Sequence, residues 1–452
     1  MTIKEPVNAV VLAAGRGTRM RSQMPKVLHP LAGRAMLVHV LATVSQLSPV
    51  RQIVVIGAGA ADVAKAVAPA QIVVQDPPMG TGHALMCARD LLEGAQGTVL
   101  VLFGDSPLIT AATLVELVAA REAGAAVAVL GFRPADPAQY GRLVCDQSSS
   151  LTRIVEFKDA APSELEITLC NGGVMAIAAQ HVHALLSQLD NKNAQSEYYL
   201  TDLVRLAREA GLSCAVVEGP ADEVLGVNSR AELALAEDVL QQRLRARAMD
   251  EGATLVDPAS IYFSHDTQIG RDVVVGPNVV FGPGVTVADR VVIKPFCHIE
   301  GTLIEAGAII GPFARLRPGA SVGEDAHVGN FVELKNTRLE KGAKANHLAY
   351  LGDAKVGAGA NIGAGTITCN YDGFDKFVTD IGAGAFVGSN SSLVAPVRIG
   401  NGAYVGSGSV VTDDVADDAL AIARGRQVAR EGWANTFRAR KREEKAQRNK
   451  KD

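Results

Sequence analysis

Aliphatic residues recur every six positions between Ile269 and Val411, and this repeat limits the possible folds more than any other feature of the chain. The series runs Ile269, Val275, Phe281, Val287, Ile293 and Ile299. After a slip of one residue it resumes at Ile304, Ile310, Leu316, Val322, Val328 and Leu334. It returns at Val356 and Ile362, and then runs through Ile381, Val387, Leu393, Ile399, Val405 and Val411. Hexapeptide spacing is the signature of a parallel β-helix, whose coils each take three hexads and turn one side chain per hexad into a narrow bore. Glycine often follows the inward residue, as in IGRDVV, VGEDAH and VGSGSV, and 24 of the 45 glycines fall inside this segment. A bore of uniform width leaves little room for rings, in keeping with an aromatic content of 4%. The repeat fails over 335–355 and 368–380, and both stretches are expected to loop out of the prism.

With 452 residues the chain is long enough for two or three domains. Residues 7–228 alternate β-branched runs (7–13, 52–56, 71–74, 98–103, 126–131) with helical stretches (36–46, 60–67, 82–92, 111–123). That rhythm implies a mostly parallel, Rossmann-like α/β sheet whose ligands sit beyond the carboxyl ends of its strands. Residues 229–249 contain neither Gly nor Pro and set Leu233, Ala236, Leu240 and Leu244 on one face, so they read as a helical linker, a semi-rigid spacer. The β-helix domain is then expected over 250–437. A basic tail, 438–452, carries eight basic and three acidic residues and is expected to be solvated and partly disordered.

A net charge of -4 gives no field for nucleic acid or an anionic membrane, and no apolar run is long enough to span a bilayer. The six cysteines form no CxxC pair, which argues against a disulfide framework or structural zinc and suits a reducing cytoplasm.

The segment LAAGRGTRM follows the first strand run, with Pro25-Lys26 just beyond. Its glycines let backbone N–H groups approach a phosphate chain, and Arg16, Arg19 and Lys26 supply positive charge. No GK[ST] follows, so it is not a P-loop. Gly57-Ala58-Gly59 resembles a dinucleotide fingerprint but has Asp62 at the third glycine, and reads as a turn. Asp105, at the end of a strand on the ligand edge, is a candidate metal ligand.

LAAGRGTRM, PKVLH, Gln75, GTGHA, FGDSPLI, YGR, IVEFKDA, CNGGV, EYYLTD and GVNSR occur in the order seen in sugar-nucleotide pyrophosphorylases. With the hexad half included, the chain resembles end to end the bacterial family of bifunctional uridyltransferases and acetyltransferases. The resemblance implies that Leu12, Ala13, Ala14, Gly15, Arg19, Gln75, Gly80, Thr81, Phe103 and Gly104 hold a uridine nucleotide, with Lys26 on its phosphates. Gly141, Glu156 and Asn171 would bind the amino-sugar, and Asp105 and Asn228 would hold Mg²⁺. Phe103 and Gly172 depart from the family's usual Tyr and small hydroxyl residue.

For the carboxyl half the resemblance implies a left-handed β-helix with His347 as general base. Arg317, Lys335, Tyr350 and Asn361 would bind a sugar phosphate; Arg and Lys suit that anion, and a neutral imidazole suits taking a proton from an amine. Ala364, Asn370, Tyr371, Ser389, Ser407 and Arg424 would line an acetyl-CoA site, Ser407 standing where Ala is common. The implied product is UDP-N-acetylglucosamine, made from acetyl-CoA and UTP in a homotrimer. The alternative is a nucleotidyltransferase whose β-helix serves only as a trimerising scaffold.

Overall fold

The structure, a computed structural model, describes residues 3–15, 17–137 and 139–448. Arg16 and the last four residues of the tail lie outside the described residues. The chain divides into two compact units. One comprises the residues up to Glu251 with Pro258–Thr267 and Phe281–Pro283; the other comprises Gly252–Asp257, Gln268–Val280 and the residues from Gly284 on.

The first unit is built on a nine-stranded sheet with the order Cys214–Glu218, Val127–Phe132, Cys170–Ala178, Thr98–Phe103, Val7–Ala13, Arg51–Gly57, Gln71–Gln75. Val7–Ala13 is buried throughout, with parallel neighbours on both sides, as expected of an apolar run at the centre of a covered sheet. Alternate residues feed two cores: Val10, Leu12, Val99 and Val101 on one face, Ala9, Val11, Leu100 and Leu102 on the other. The chain leaves Val7–Ala13 for one side and later returns on the other, so the loop after Ala13 opens at a topological switch point. Cys170–Ala178 runs antiparallel to both its neighbours, and Arg142–Cys145 with Leu151–Val155 extends the sheet as a hairpin. Gly57 to Gly59 is a turn, as read.

Three expectations change in detail. The run 82–92 is not one helix: Thr81–Cys87 is α-helical and Asp90–Leu92 is a separate 3-10 turn. The helix Arg230–Asp250 is not a bare spacer, because it belongs to the first unit and buries Ala236, with Leu233 and Leu240 packing nearby, against Leu31, Met36, Leu108 and Val227. Arg243 further ties it to the carbonyl of Leu108 and to Asp222, at 2.6 Å each. The tail is helical over Trp433–Arg448 and buries no residue.

The second unit is a left-handed parallel β-helix of two- to four-residue strands in three sheets of ten, eight and eight strands. Every hexad residue is buried except Ile269, which is half-buried. Each buried Val, Ile or Leu contributes roughly 1.5–3 kcal/mol on leaving water. The glycine after the inward residue serves close approach: a Cβ on Gly363 would fall 2.6 Å from the Ser389 nitrogen of the next coil.

Residues 335–355 do not loop out. They form a complete coil through Glu333–Lys335, Arg338–Leu339, Lys344–His347, Tyr350–Gly352 and Ala354–Val356, with Leu339, Ala345 and Leu351 buried in the bore. Five-residue steps at Leu334 to Leu339 and Leu351 to Val356, and an alanine at the inward position, hide this coil from a strict six-residue reading. In the second break Thr368 stays in the bore, its hydroxyl bonded to the nitrogen and carbonyl of Gly352 at 2.7 and 3.0 Å. Only about 370–378 leaves the prism.

Candidate active sites

In the first unit a cavity of about 250 Å³ opens at the strand ends. Leu12, Ala13, Ala14, Gly15, Lys26, Gln75, Gly80, Thr81, Phe103 and Asp105 all line it. Val27, Ala84 and Glu197, which lie in PKVLH, GTGHA and EYYLTD but were given no role there, complete the lining with Pro78, which no motif contained. Gly80 has φ +103°, and a Cβ there would lie 2.6 Å from the Tyr198 carbonyl oxygen, so no other residue lets the 197–200 segment close this wall. Thr81 accepts from the Leu200 N–H at 3.1 Å, binding the same two segments. Arg19 is exposed and does not line the cavity. Gly104 stands behind it, donating to the Leu12 carbonyl at 2.9 Å.

Asp105 and Asn228, far apart in the chain, meet through Lys26. The Lys26 ammonium is buried, pairs with the Asp105 carboxylate and donates to Asn228 Oδ1 at 2.9 Å. The Val227 N–H donates to the Asp105 carbonyl at 2.8 Å, fixing the two segments together. Asn228 is held in turn by the start of the Arg230–Asp250 helix: its N–H donates to Glu232 Oε2 at 2.7 Å, while Ser229 caps the helix through the Glu232 N–H at 3.2 Å. Glu232 was not singled out in the sequence, although a serine followed three residues later by glutamate before an apolar run is a capping-box signal.

Gly141, Glu156 and Asn171 form a second group. Asn171 N–H donates to the Gly141 carbonyl at 2.8 Å, and a Cβ on Gly141 would lie 3.5 Å from Glu156 Oε2. Glu156 also lines a separate cavity of about 430 Å³ with Asp159, Asp190, Lys192, Asp202 and Arg205. Burial pushes the Glu156 carboxyl above its ordinary pKa, Asp159 and Asp202 add to this, and the Thr201 hydroxyl at 3.1 Å partly opposes it.

In the second unit the candidate residues fall into an ordered column. Successive coils at one corner carry Asn330, His347, Ala364, Ser389 and Ser407, joined by N–H to carbonyl bonds from the residue after each one. Arg424 ends the column, donating to the Ser407 carbonyl at 2.8 Å. His347 Nδ1 lies 2.6 Å from Asn330 Oδ1. An amide oxygen only accepts, so Nδ1 carries a ring proton, and of the two neutral tautomers this pairing selects the one whose Nε2 has the lone pair. Asn330 is the residue most plainly missed; the seventeen-residue step to His347, one coil with a slip, was its signal.

Lys335 and Tyr350 stand on the sheet that follows this corner, Arg317 comes directly after its Arg315–Leu316 strand, and Asn361 stands on the preceding sheet, paired in register with Lys344. Glu333 holds Arg317 at 2.9 Å. Lys335 lies 3.9 Å from Asp353, which also accepts from Asn336 at 2.7 Å and from the Asn370 amide. Burial alone would raise the Asp353 pKa, but the bonds from Asn336 and Asn370 and the charges of Lys335 and Lys376 outweigh it and lower the value. Gly352 has no Cβ, and that space admits the Tyr350 hydroxyl and the Asn370 amide. Tyr371 projects from the excursion with its side chain exposed.

Among the described residues no group of three or more His, Cys, Asp or Glu side chains is placed to hold a metal, and no helix is long and apolar enough to cross a membrane. All six cysteines are unpaired.

Residues 9–161 match the family model described as a MobA-like NTP transferase domain. Residues 266–301, 301–336 and 379–413 match the model for bacterial transferase hexapeptide, six repeats. The matches omit 337–378, which holds most of the hidden coil, the five-residue step out of it and the excursion. The chain is 59% identical over 439 residues to the Bifunctional protein GlmU of Paramagnetospirillum magneticum, covering 97% of this chain and 98% of the relative. It is 60% identical over 433 residues to that of Rhodospirillum rubrum (95% and 97%) and 52% identical over 453 residues to that of Sphingopyxis alaskensis (99% and 100%).

Proposed function

The chain belongs to the bifunctional GlmU family, and from that premise we propose which of its side chains carry each half-reaction. It is a bifunctional enzyme of UDP-N-acetylglucosamine synthesis. Acetyl transfer from acetyl-CoA to glucosamine 1-phosphate is followed by uridylyl transfer from UTP, which releases pyrophosphate.

For acetyl transfer, His347 Nε2 takes a proton from the sugar amine as the nitrogen attacks the thioester carbonyl carbon. The carbon–sulfur bond then breaks and coenzyme A leaves as its thiol, taking the proton that His347 holds. Asn330 holds the imidazole in the tautomer that can accept this proton. Arg317, Lys335, Tyr350 and Asn361 bind the sugar phosphate, which asks Arg317 and Lys335 to share their present carboxylate partners with it. Acetyl-CoA lies along Ala364, Ser389 and Ser407 toward Arg424, with Asn370 and Tyr371 beside it. The observation that carries this reading is the single corner column that aligns His347 with those residues. A prism acting only as a scaffold has no need of a histidine whose tautomer is fixed.

For uridylyl transfer, a phosphate oxygen of N-acetylglucosamine 1-phosphate attacks the α-phosphorus of UTP as the bond to pyrophosphate breaks. The loop 12–15, Gln75, Gly80 and Thr81 hold the nucleotide, and Gly141, Glu156 and Asn171 hold the sugar. Asp105 and Asn228 offer one carboxylate and one amide oxygen already directed at a common cation, the Lys26 ammonium, a donor set that fits Mg²⁺. Mg²⁺ bound there would offset the charge that builds on the phosphates. Lys26 then turns to the phosphates and lowers the repulsion between the two anions.

We assign a homotrimer. Exposed Phe296, Phe313 and Phe331 stack at 4.9 and 5.0 Å on the β-helix, and Leu348, next to His347, is exposed as well; a second copy would cover this apolar ridge. The unpaired cysteines favour the cytoplasm. The test is to supply glucosamine 1-phosphate, acetyl-CoA, UTP and Mg²⁺ and to follow free thiol and pyrophosphate. Both should appear in turnover, and no thiol release from glucosamine 1-phosphate and acetyl-CoA, in protein that still releases pyrophosphate from UTP when given N-acetylglucosamine 1-phosphate, would overturn the acetyltransferase assignment.

A further inference from the structure

We infer that His83 is a positioning residue that sets which base the nucleotide cavity accepts, by holding the Gln75 amide in one orientation. The inference rests on reading this cavity as a nucleotide site. Gln75 ends the strand Gln71–Gln75, is buried, and lines the cavity. Its Nε2 donates to the Gly80 carbonyl at 2.9 Å and lies 3.2 Å from His83 Nδ1. The Gly80 oxygen can only accept, and it also takes the Ala84 N–H at 3.1 Å, so the amide nitrogen and not the oxygen must face it. His83 Nδ1 then accepts the second amide hydrogen. The ring proton therefore sits on Nε2, 3.8 Å from Cys87 Sγ one helical turn on.

Both Gln75 hydrogens are thereby used, and only Oε1 remains for a ligand. Among the described residues that oxygen has no protein partner. An acceptor at this point pairs with the ring N3–H of uracil. Cytosine presents a lone pair at the same ring position, so the two acceptors repel. His83 itself does not line the cavity, so it acts through Gln75 rather than on the base. With a side chain that cannot accept at position 83, one of the two anchors on the amide is lost, and rotation to present Nε2 becomes easier.

The test compares kcat/KM for UTP and CTP in the full-length protein and in His83→Leu, His83→Gln and Gln75→Leu, with Mg²⁺ and N-acetylglucosamine 1-phosphate saturating. Acetyl transfer serves as the control for folding, and His83→Phe replaces the leucine variant if that variant does not fold. His83→Leu should lower the UTP-to-CTP ratio about fivefold to tenfold, the effect of one hydrogen bond. His83→Gln, which can accept, should restore most of it. A ratio within about twofold of the parent in His83→Leu, or equal loss in His83→Gln, overturns the inference. If Gln75→Leu lowers the ratio while His83→Leu does not, only the role of His83 is lost. If Gln75→Leu leaves the ratio intact, base reading by Gln75 fails and takes the His83 inference with it.

Discussion

In the α/β unit Leu12, Gln75, Asp105 and Asn228 come together from across more than two hundred residues of chain because the parallel strands end on one edge and one helix start folds back to them. In the β-helix Asn330, His347, Ala364, Ser389 and Ser407 meet because each recurs after about one coil. The first site depends on topology and on side chains gripping one another, as Lys26 grips Asp105 and Asn228. The second depends on register, and its members are spaced by the scaffold itself. A local change in the first site should therefore loosen several neighbours, whereas in the second it should remove one function and leave the column standing.

Asp105→Ala is the largest break expected. It removes a metal oxygen and frees the Lys26 ammonium, so uridylyl transfer should fall by about 10³-fold or more. Acetyl transfer, measured by thiol release, should stay within about twofold. A parallel fall in both rates would contradict the independence of the two sites. Asn330→Leu tests the column: with the imidazole tautomer no longer fixed, kcat for acetyl transfer should fall roughly 10- to 100-fold with little change in the KM for acetyl-CoA. A rise in KM at constant kcat would mean that Asn330 binds substrate instead of orienting His347.

Glu232→Ala probes how far one loss spreads in the first site. It frees the Asn228 backbone and opens the capping box, so the Mg²⁺ concentration at half-maximal rate should rise about fivefold. An unchanged Mg²⁺ response would reduce Glu232 to a helix cap. Glu156→Gln, read through stability alone, should give the smallest effect. The raised Glu156 pKa means that the native state holds the proton more tightly than the unfolded chain. Ionised Glu156 therefore costs stability once pH exceeds its native value, and the cost vanishes below the ordinary glutamate value. The substitution should raise Tm by roughly 2 °C near pH 8 and leave it unchanged near pH 4.

Much of the β-helix was legible because the bore admits one kind of side chain at one period. The hidden coil was not, since Ala345 is a weak hydrophobic signal and a five-residue step on either side moves Leu339 and Leu351 out of phase. In the α/β unit the central strands were readable from β-branched runs. The antiparallel course of Cys170–Ala178 was not, because strand direction depends on partners distant in the chain. The site divides in the same way. Glycine-rich turns and Asp105 announce themselves locally, whereas the pairing of Lys26 with Asn228, and of His83 with Gln75, appears only once the chain is folded.

The central claim, two chemistries on two separate sets of residues, is tested most directly with His347→Ala, UTP and Mg²⁺, following formation of the UDP-sugar from each of two starting sugars. Given N-acetylglucosamine 1-phosphate, the variant should form UDP-N-acetylglucosamine within about twofold of the parent rate. Given glucosamine 1-phosphate and acetyl-CoA, it should form about 10²- to 10⁴-fold less, the range for loss of a general base. Parent-level product from glucosamine 1-phosphate, or none from either sugar, would contradict the account.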